Sequence, residues 1–301
     1  MKISGTFLDE ITHDIPSHNW GPREWAADFD AMRAVGIDTV ILIRAGYRDR
    51  MTFPSETLAR EQPMRPVYLD LVDLFLAEAE RCGMTFYFGI YDSGRFWHQG
   101  QPQKEVEINL RFTEEFMQKY GQRKAFGGWY LTHEIHEHDE GVTRLIERLA
   151  KYVKGLKNVP VLMSPYVRGS KQFGDAPITP AEHEEQWEQV FSILSGFVDI
   201  VAFQDGHVDF HELPTFMEIN TRLARKHGLR PWSNVESFER GMPIDFLPID
   251  WRNLRYKIDV AEAAGVEKLI TFEFSHFMSP NAMWPSAQSL YRRYQEYIGG
   301  R

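Results

Sequence analysis

Cysteine is almost missing from this chain: Cys82 is the only one. That excludes a disulfide within the chain and any cysteine-based zinc cluster. Cys82 stands just before Gly83 at the end of an amphipathic stretch, where a buried structural thiol is expected. It also lies at the wrong end of a strand for a nucleophile. No apolar run approaches the ~18–20 residues of a membrane span, so no membrane partner is expected. Basic residues are the minority, 34 Lys and Arg against 43 Asp and Glu, giving a formal charge of −9. This balance argues against a nucleic-acid partner, which needs a basic face to displace counterions. The first residues enter a strand-like segment without the apolar core of a signal peptide. A cytoplasmic location is expected, or a secreted one if a leader has been removed. No Gly-x-Ser-x-Gly elbow, Walker-type loop or glycine-rich fingerprint after the first strand occurs, which removes the corresponding hydrolase, nucleotide and dinucleotide readings.

What is present is ample core material. The 301 residues are 43% hydrophobic and 14% aromatic, which excludes disorder. Eight short apolar runs recur, at 3–8, 39–44, 85–91, 127–132, 160–166, 198–204, 230–235 and 268–274. They are rich in β-branched and aromatic residues on both faces, as strands of a helix-covered parallel sheet must be. Between them run helical stripes such as Trp25, Phe29 and Met32, or Leu145, Ile146, Leu149 and Val153. Thr179-Pro180-Ala181-Glu182 reads as a capping box. Gly36, Gly83, Gly228 and Gly265 each end a stripe just before a strand. Strict alternation at about 38 residues per unit predicts one (β/α)8 TIM barrel over residues 1–301 rather than an open doubly wound sheet.

In such a barrel the site lies at the C-terminal ends of the strands. Those ends are polar all round. They carry Asp9 and Glu10, Arg44 and Tyr47, then Asp92 with Trp97 beyond it. Next come His133 and Glu134, then Ser164 and Tyr166. Gln204, Asp205 and His207 follow, then Asn234 and Glu236, and last Glu273 and His276. Glu134, Glu236 and Glu273 sit among aromatics, where a carboxylate is costly to bury without partners. Two carboxylates on opposite rims suit glycoside hydrolysis, one protonating the leaving oxygen and the other attacking or activating water. Trp20, Tyr47, Trp97, Tyr166, Trp232 and Trp284 would offer flat faces to sugar rings. Arg44, Asp92, Trp97, His133, Tyr166, Gln204, Asp205, His207, Asn234, Glu273 and His276 are the expected substrate-binding set. A carbohydrate is the expected partner; no cofactor and no metal are expected, and the oligomeric state stays open.

The chain resembles the large clan of TIM-barrel glycoside hydrolases. The resemblance implies an acid/base at Glu134 on strand 4 and a nucleophile at Glu236 on strand 7, or a base there if the enzyme inverts. Arg44 is similar to the arginine many members carry on strand 2. Two positions depart from the clan: His133 stands where asparagine is usual, and Phe272, Phe274 and Phe277 surround the place of the usual strand-8 tryptophan. A closer resemblance rests on 3–11 (ISGTFLDEI), Asn19-Trp20, Glu24-Trp25, 36–44 (GIDTVILIR) and Phe53-Pro54-Ser55. These are similar to a bacterial family known as domain of unknown function 4434, whose members are regarded as glycosidase-like barrels. Two other readings remain open. Glu134, Asp205, His207, Glu236 and Glu273 could serve a divalent ion in a sugar isomerase- or epimerase-like barrel. Alternatively, the aromatic mouth could bind carbohydrate without catalysis. The run 133–138 (HEIHEH) is not the zinc-protease motif, since its histidines are three apart and it leaves a strand.

Overall fold

The computed structural model describes residues 1–13, 15–240 and 246–300. Eight parallel strands form a closed barrel: β1 (Ile3–Leu8), β2 (Thr39–Leu42), β3 (Thr85–Gly89), β4 (Phe126–Leu131), β5 (Val161–Met163), β6 (Ile200–Gln204), β7 (Arg230–Asn234) and β8 (Lys268–Thr271). Each pairs with its sequence neighbours, and β1 closes the ring by pairing with β8. Eight main helices alternate with them: α1 (Pro22–Ala34), α2 (Leu71–Cys82), α3 (Pro102–Tyr120), α4 (Glu140–Leu156), α5 (Pro180–Leu194), α6 (Leu213–Lys226), α7 (Trp251–Ala264) and α8 (Pro285–Gly299). The expected single (β/α)8 barrel is therefore the fold. No helix among the described residues is long and apolar enough to cross a membrane.

Strand alternation divides the core in two. Phe7, Ile41, Tyr87, Tyr130, Leu162, Ile200, Trp232 and Ile270 point into the barrel and fill it. The opposite faces pack against the helices in a second, larger cluster. Gly128 makes the inner packing possible, because a Cβ there would meet the Tyr87 ring at 2.1 Å. Helix ends follow local chemistry. Asp70 and Asp139 accept from Asp73 N–H (2.9 Å) and Val142 N–H (2.8 Å), and Thr179 with Glu182 forms the capping box. Such caps contribute ~1 kcal/mol each. Gly36, Gly83, Gly228 and Gly265 all have positive φ and turn the chain into the next strand.

Several expectations need adjusting. The ladders stop earlier than the apolar runs, because the chain peels away at the barrel mouth. Tyr91–Asp92 pairs with Gly46–Tyr47 in a small accessory sheet, and Phe274–Phe277 is a short helix. Cys82 is half-buried at the end of α2 rather than buried. Trp232 fills the barrel interior beside Tyr87 instead of facing a cleft. Trp20 packs on His18 and Trp25, and Trp284 caps α8.

Candidate active site

The C-terminal mouth holds a cavity of about 250 Å³. That is far more than the ~30 Å³ share of one water and close to the low end of ligand cavities, ~300 Å³. It is the size of a small ligand such as one sugar ring. Arg44, Asp92, Trp97, Glu134, Tyr166, Gln204, Asn234 and Glu236 of the expected set line it. His133, Asp205, His207, Glu273 and His276 do not. For His133 and Asp205 the reason is strand alternation: successive side chains point to opposite faces. Since Glu134 and Gln204 face the cavity, their neighbours His133 and Asp205 face away; Glu273 instead caps the short helix Phe274–Phe277, accepting from Ser275 N–H (3.0 Å) and His276 N–H (2.8 Å).

Glu134 follows β4 and is 29% exposed at its side chain. Gln204 Nε2 donates to its Oε1 at 3.1 Å and to Ser164 O at 2.8 Å, which fixes the amide orientation. Arg44 Nη2 donates to Glu134 Oε2 at 3.0 Å, and its Nε lies 3.5 Å from Asp92 Oδ2. Burial alone would pull the Arg44 guanidinium down, but Glu134, Asp92 and Asp9 outweigh it and raise it above its ordinary value. Asp92 also accepts from Trp97 Nε1 (2.9 Å) and Gly94 N–H (2.8 Å). Burial pushes Asp92 up; the Arg44 charge outweighs this and holds it below the usual carboxylate range.

Glu236 lies across from this group in the cavity wall and is 1% exposed. Arg240 grips it with a two-pronged bond, Nε to Oε2 at 3.2 Å and Nη2 to Oε1 at 3.1 Å. Burial raises the Glu236 carboxyl, but the Arg240 charge and hydrogen bonds outweigh it and hold the group below its ordinary value. Gly206 leaves the room this requires, since a Cβ there would stand 1.5 Å from Glu236 Oε2. Behind the wall, Asp205 binds Lys257 (2.7 Å), and burial raises its carboxyl above the ordinary value. His207 and His136 both stack on the Tyr166 ring, at 4.6 and 4.9 Å. Burial pulls His207 down to about 4.

The sequence pattern does not point to Arg240, His13, Phe238 and Phe246, which also line the cavity. Arg240, His13 and Phe246 lie in loops without periodicity, and Phe238 lies on a two-residue strand too short to show one. Glu105 on α3 is hidden in the same way; it accepts from Ser93 N–H (3.0 Å) and contacts His133 Nε2 (3.2 Å).

Two groups of ligand-type side chains come together among the described residues: Glu10, His18 and His276, and Asp92, Glu105 and His133. In both, most donor atoms are already engaged. His276 meets Glu273 through Nδ1 and Pro16 O through Nε2 (2.7 Å), and Glu10 meets His18 Nδ1 at 2.5 Å. Neither group is the isomerase-type set: Asp205 and Glu273 sit behind the wall, apart from the cavity that holds Glu134 and Glu236.

The architecture is that of TIM-barrel glycoside hydrolases. An endo-1,4-β-D-mannanase from Thermotoga petrophila superimposes with TM-score 0.64, covering 99% of this chain and 100% of that one at 13% identity. A β-D-glucuronidase from Dictyoglomus thermophilum gives TM-score 0.58 at 12% identity, with 98% of this chain covering 50% of that one. These likenesses concern the fold. The chain itself belongs to the DUF4434 family, a domain of unknown function, whose model matches residues 3–284. A much nearer structure is a Bacteroides thetaiotaomicron protein described as a "putative alpha-L-fucosidase". It is 46% identical, with TM-score 0.95 over 100% of this chain and 94% of that one. No curated protein matches the sequence.

Proposed function

We propose that the protein is a glycoside hydrolase that cleaves a sugar bound in the barrel mouth through Glu134 and Glu236. The observation that carries this reading is the placement of both carboxylates in the wall of one cavity, in unlike surroundings. Glu236 is buried, gripped by a guanidinium and held below its ordinary value, so it stays ionised at neutral pH. An ionised carboxylate is what attack on an anomeric carbon, or activation of a water, demands. The Arg240 fork takes two of its roughly four lone-pair positions and leaves others for reaction. Glu134 is reached by solvent, and Gln204 and Arg44 orient it. It supplies the proton to the leaving oxygen. Tyr166 and Trp97 add apolar surface to the wall, and Asp92 and Asn234 give polar atoms for hydroxyls.

The test begins with aryl glycosides, α-L-fucoside first because of the 46% identical relative's description. Turnover should fall by ~10²-fold or more in Glu134→Gln and in Glu236→Gln. If both variants keep the wild-type rate, the two-glutamate reading is wrong. If sugars bind but no glycoside of the panel is cleaved, the barrel is a carbohydrate-binding module. The anomer released first, followed by NMR, reports whether the configuration is retained or inverted.

A further inference from the structure

We infer that Lys257 and Asp205 are positioning residues that hold Glu236 through both of its own peptide groups. This deepens the glycosidase reading and rests on it. Lys257 lies on the inward stripe of α7 with Leu254, Ile258 and Ala261 and is 2% exposed. An apolar residue is the ordinary choice at such a position, and a buried ammonium is costly unless paired. Its Nζ donates to Asp205 Oδ1 at 2.7 Å and to the Glu236 carbonyl at 3.2 Å. The same Asp205 Oδ1 accepts from the Glu236 N–H at 3.0 Å.

The need for this device follows from the ladder. Past the end of β7, Val235 and Ser237 send their N–H groups to the β8 side, to Ile270 O (2.8 Å) and Phe272 O (3.0 Å). Glu236 between them therefore turns its peptide groups to the β6 side. There the neighbouring strand has ended at Gln204, and Gly206 carries the chain away. Asp205 and Lys257 replace the missing strand. They continue the sheet by one residue, so Glu236 keeps strand-like rigidity where Gly206 leaves space for its carboxylate. The charged and titratable groups around that carboxylate are then Arg240 from its own loop, Asp205 and the neutral His207 from the β6 side, and Lys257 from α7.

The double variant Lys257→Met/Asp205→Leu separates positioning from simple stabilisation. Replacing a buried ion pair by apolar residues is often neutral for stability. A purely structural pair would leave activity intact. Positioning predicts a folded protein whose kcat falls at least ~10-fold while KM changes little. It also predicts that the acid limb of the rate profile moves to higher pH, because a carboxylate that slips from the Arg240 fork loses the charge that holds it down. Carbon-13 NMR of the Glu236 carboxyl, assigned by its loss in Glu236→Gln, reads the same titration without substrate. Lys257→Arg keeps the charge but shifts the donors, and it covers the case in which the double variant does not fold; a partial loss of kcat is expected. Wild-type kcat and an unmoved Glu236 titration in the folded double variant, or wild-type kcat in Lys257→Arg if the double variant does not fold, would overturn the inference. If Glu236→Gln itself stays active, the glycosidase reading fails instead.

Discussion

Replacing Gly206 by alanine tests the placement of Glu236 with a single methyl group. A Cβ at this position would stand 1.5 Å from Glu236 Oε2, 2.5 Å from its Cδ and 2.9 Å from Arg240 Nε. Gly206 is not among the residues with positive φ, so alanine brings no left-handed strain and acts by bulk alone. Real Cβ atoms essentially never approach closer than 3.0 Å, so the oxygen must retreat by roughly 1.5 Å. The carboxylate is the free end of a side chain and can move, but the Arg240 fork cannot follow it without breaking. Overpacking of this kind costs ~1–3 kcal/mol of stability. Reactivity is more sensitive, since a shift of ~1 Å in a reacting group costs ~10²-fold. The expected outcome is a folded protein that melts a few degrees lower and loses ~10²-fold or more in kcat. Calorimetry, turnover of the best aryl glycoside and a crystal structure of the variant together decide. A displaced Glu236 with kcat within about threefold of wild type would refute the role given to its position.

Three further perturbations probe the frame that carries the site. Gly128→Ala should cost ~1–3 kcal/mol in chemical denaturation, because the new Cβ meets the Tyr87 ring inside the barrel; an unchanged midpoint would mean that ring is free to leave. Tyr294→Phe removes the acceptor of the Ile3 N–H (2.6 Å), which ties α8 to β1. Stranding that buried donor should cost ~1–3 kcal/mol by calorimetry, and a wild-type melting curve would count against the tie. The third concerns pH. Burial lowers His183 to about 4, so below ~6.5 the unfolded chain takes up a proton that the folded one refuses. Its contribution is present above ~6.5 and is lost as pH falls toward about 4. His276 works the other way: burial pulls it down, but Glu273 outweighs this and lifts it to about 9. Its contribution is full below ~6.5 and is lost as pH rises through about 9. Urea midpoints should lose acid sensitivity in His183→Gln and alkaline sensitivity in His276→Gln. Unaltered slopes would contradict the assignments.

The barrel is legible because its strands are buried on both faces and so read as unbroken apolar runs. The same feature blurs their ends. Tyr91, Tyr166 and Phe274 are as apolar as the strands they follow, yet they lie past the barrel ladder: Tyr91 in the accessory sheet, Tyr166 on an isolated bridge to Gln204 and Phe274 in a short helix. Helix α3 is hard to read for the opposite reason. Its inward stripe includes Glu105 and Asn109, fully buried polar residues that interrupt the hydrophobic period. Both are engaged at the base of the site, Glu105 with Ser93 and His133 and Asn109 with the Tyr91 backbone. Lys257 carries a similar signal in α7: a cation at a core position of a helical stripe announces a buried carboxylate. The pairing of Asp205 with it is not readable, because no local pattern connects β6 to α7.

Alternation along the strands is enough to sort the strand-end residues into two faces. Neighbours such as His133 and Glu134, or Gln204 and Asp205, turn to opposite sides of the cavity wall. What sequence cannot supply is how the two layers share charge. The cavity wall holds Asp9, Asp92, Glu134 and Glu236 against Arg44 and Arg240, so carboxylates outnumber the cations. The lysine that offsets Asp205 lies behind the wall, out of reach of a ligand. Such an arrangement disfavours an anionic sugar and favours positive charge developing on a bound ring, as glycoside cleavage through an oxocarbenium-like transition state requires. Arg240 holds Glu236 ionised and Arg44 holds Asp92 ionised, against the burial that raises both. On the proposed reading, the grip of Arg240 on Glu236 is therefore a condition of the chemistry, since the guanidinium keeps the reacting carboxylate charged while its side chain is withdrawn from water.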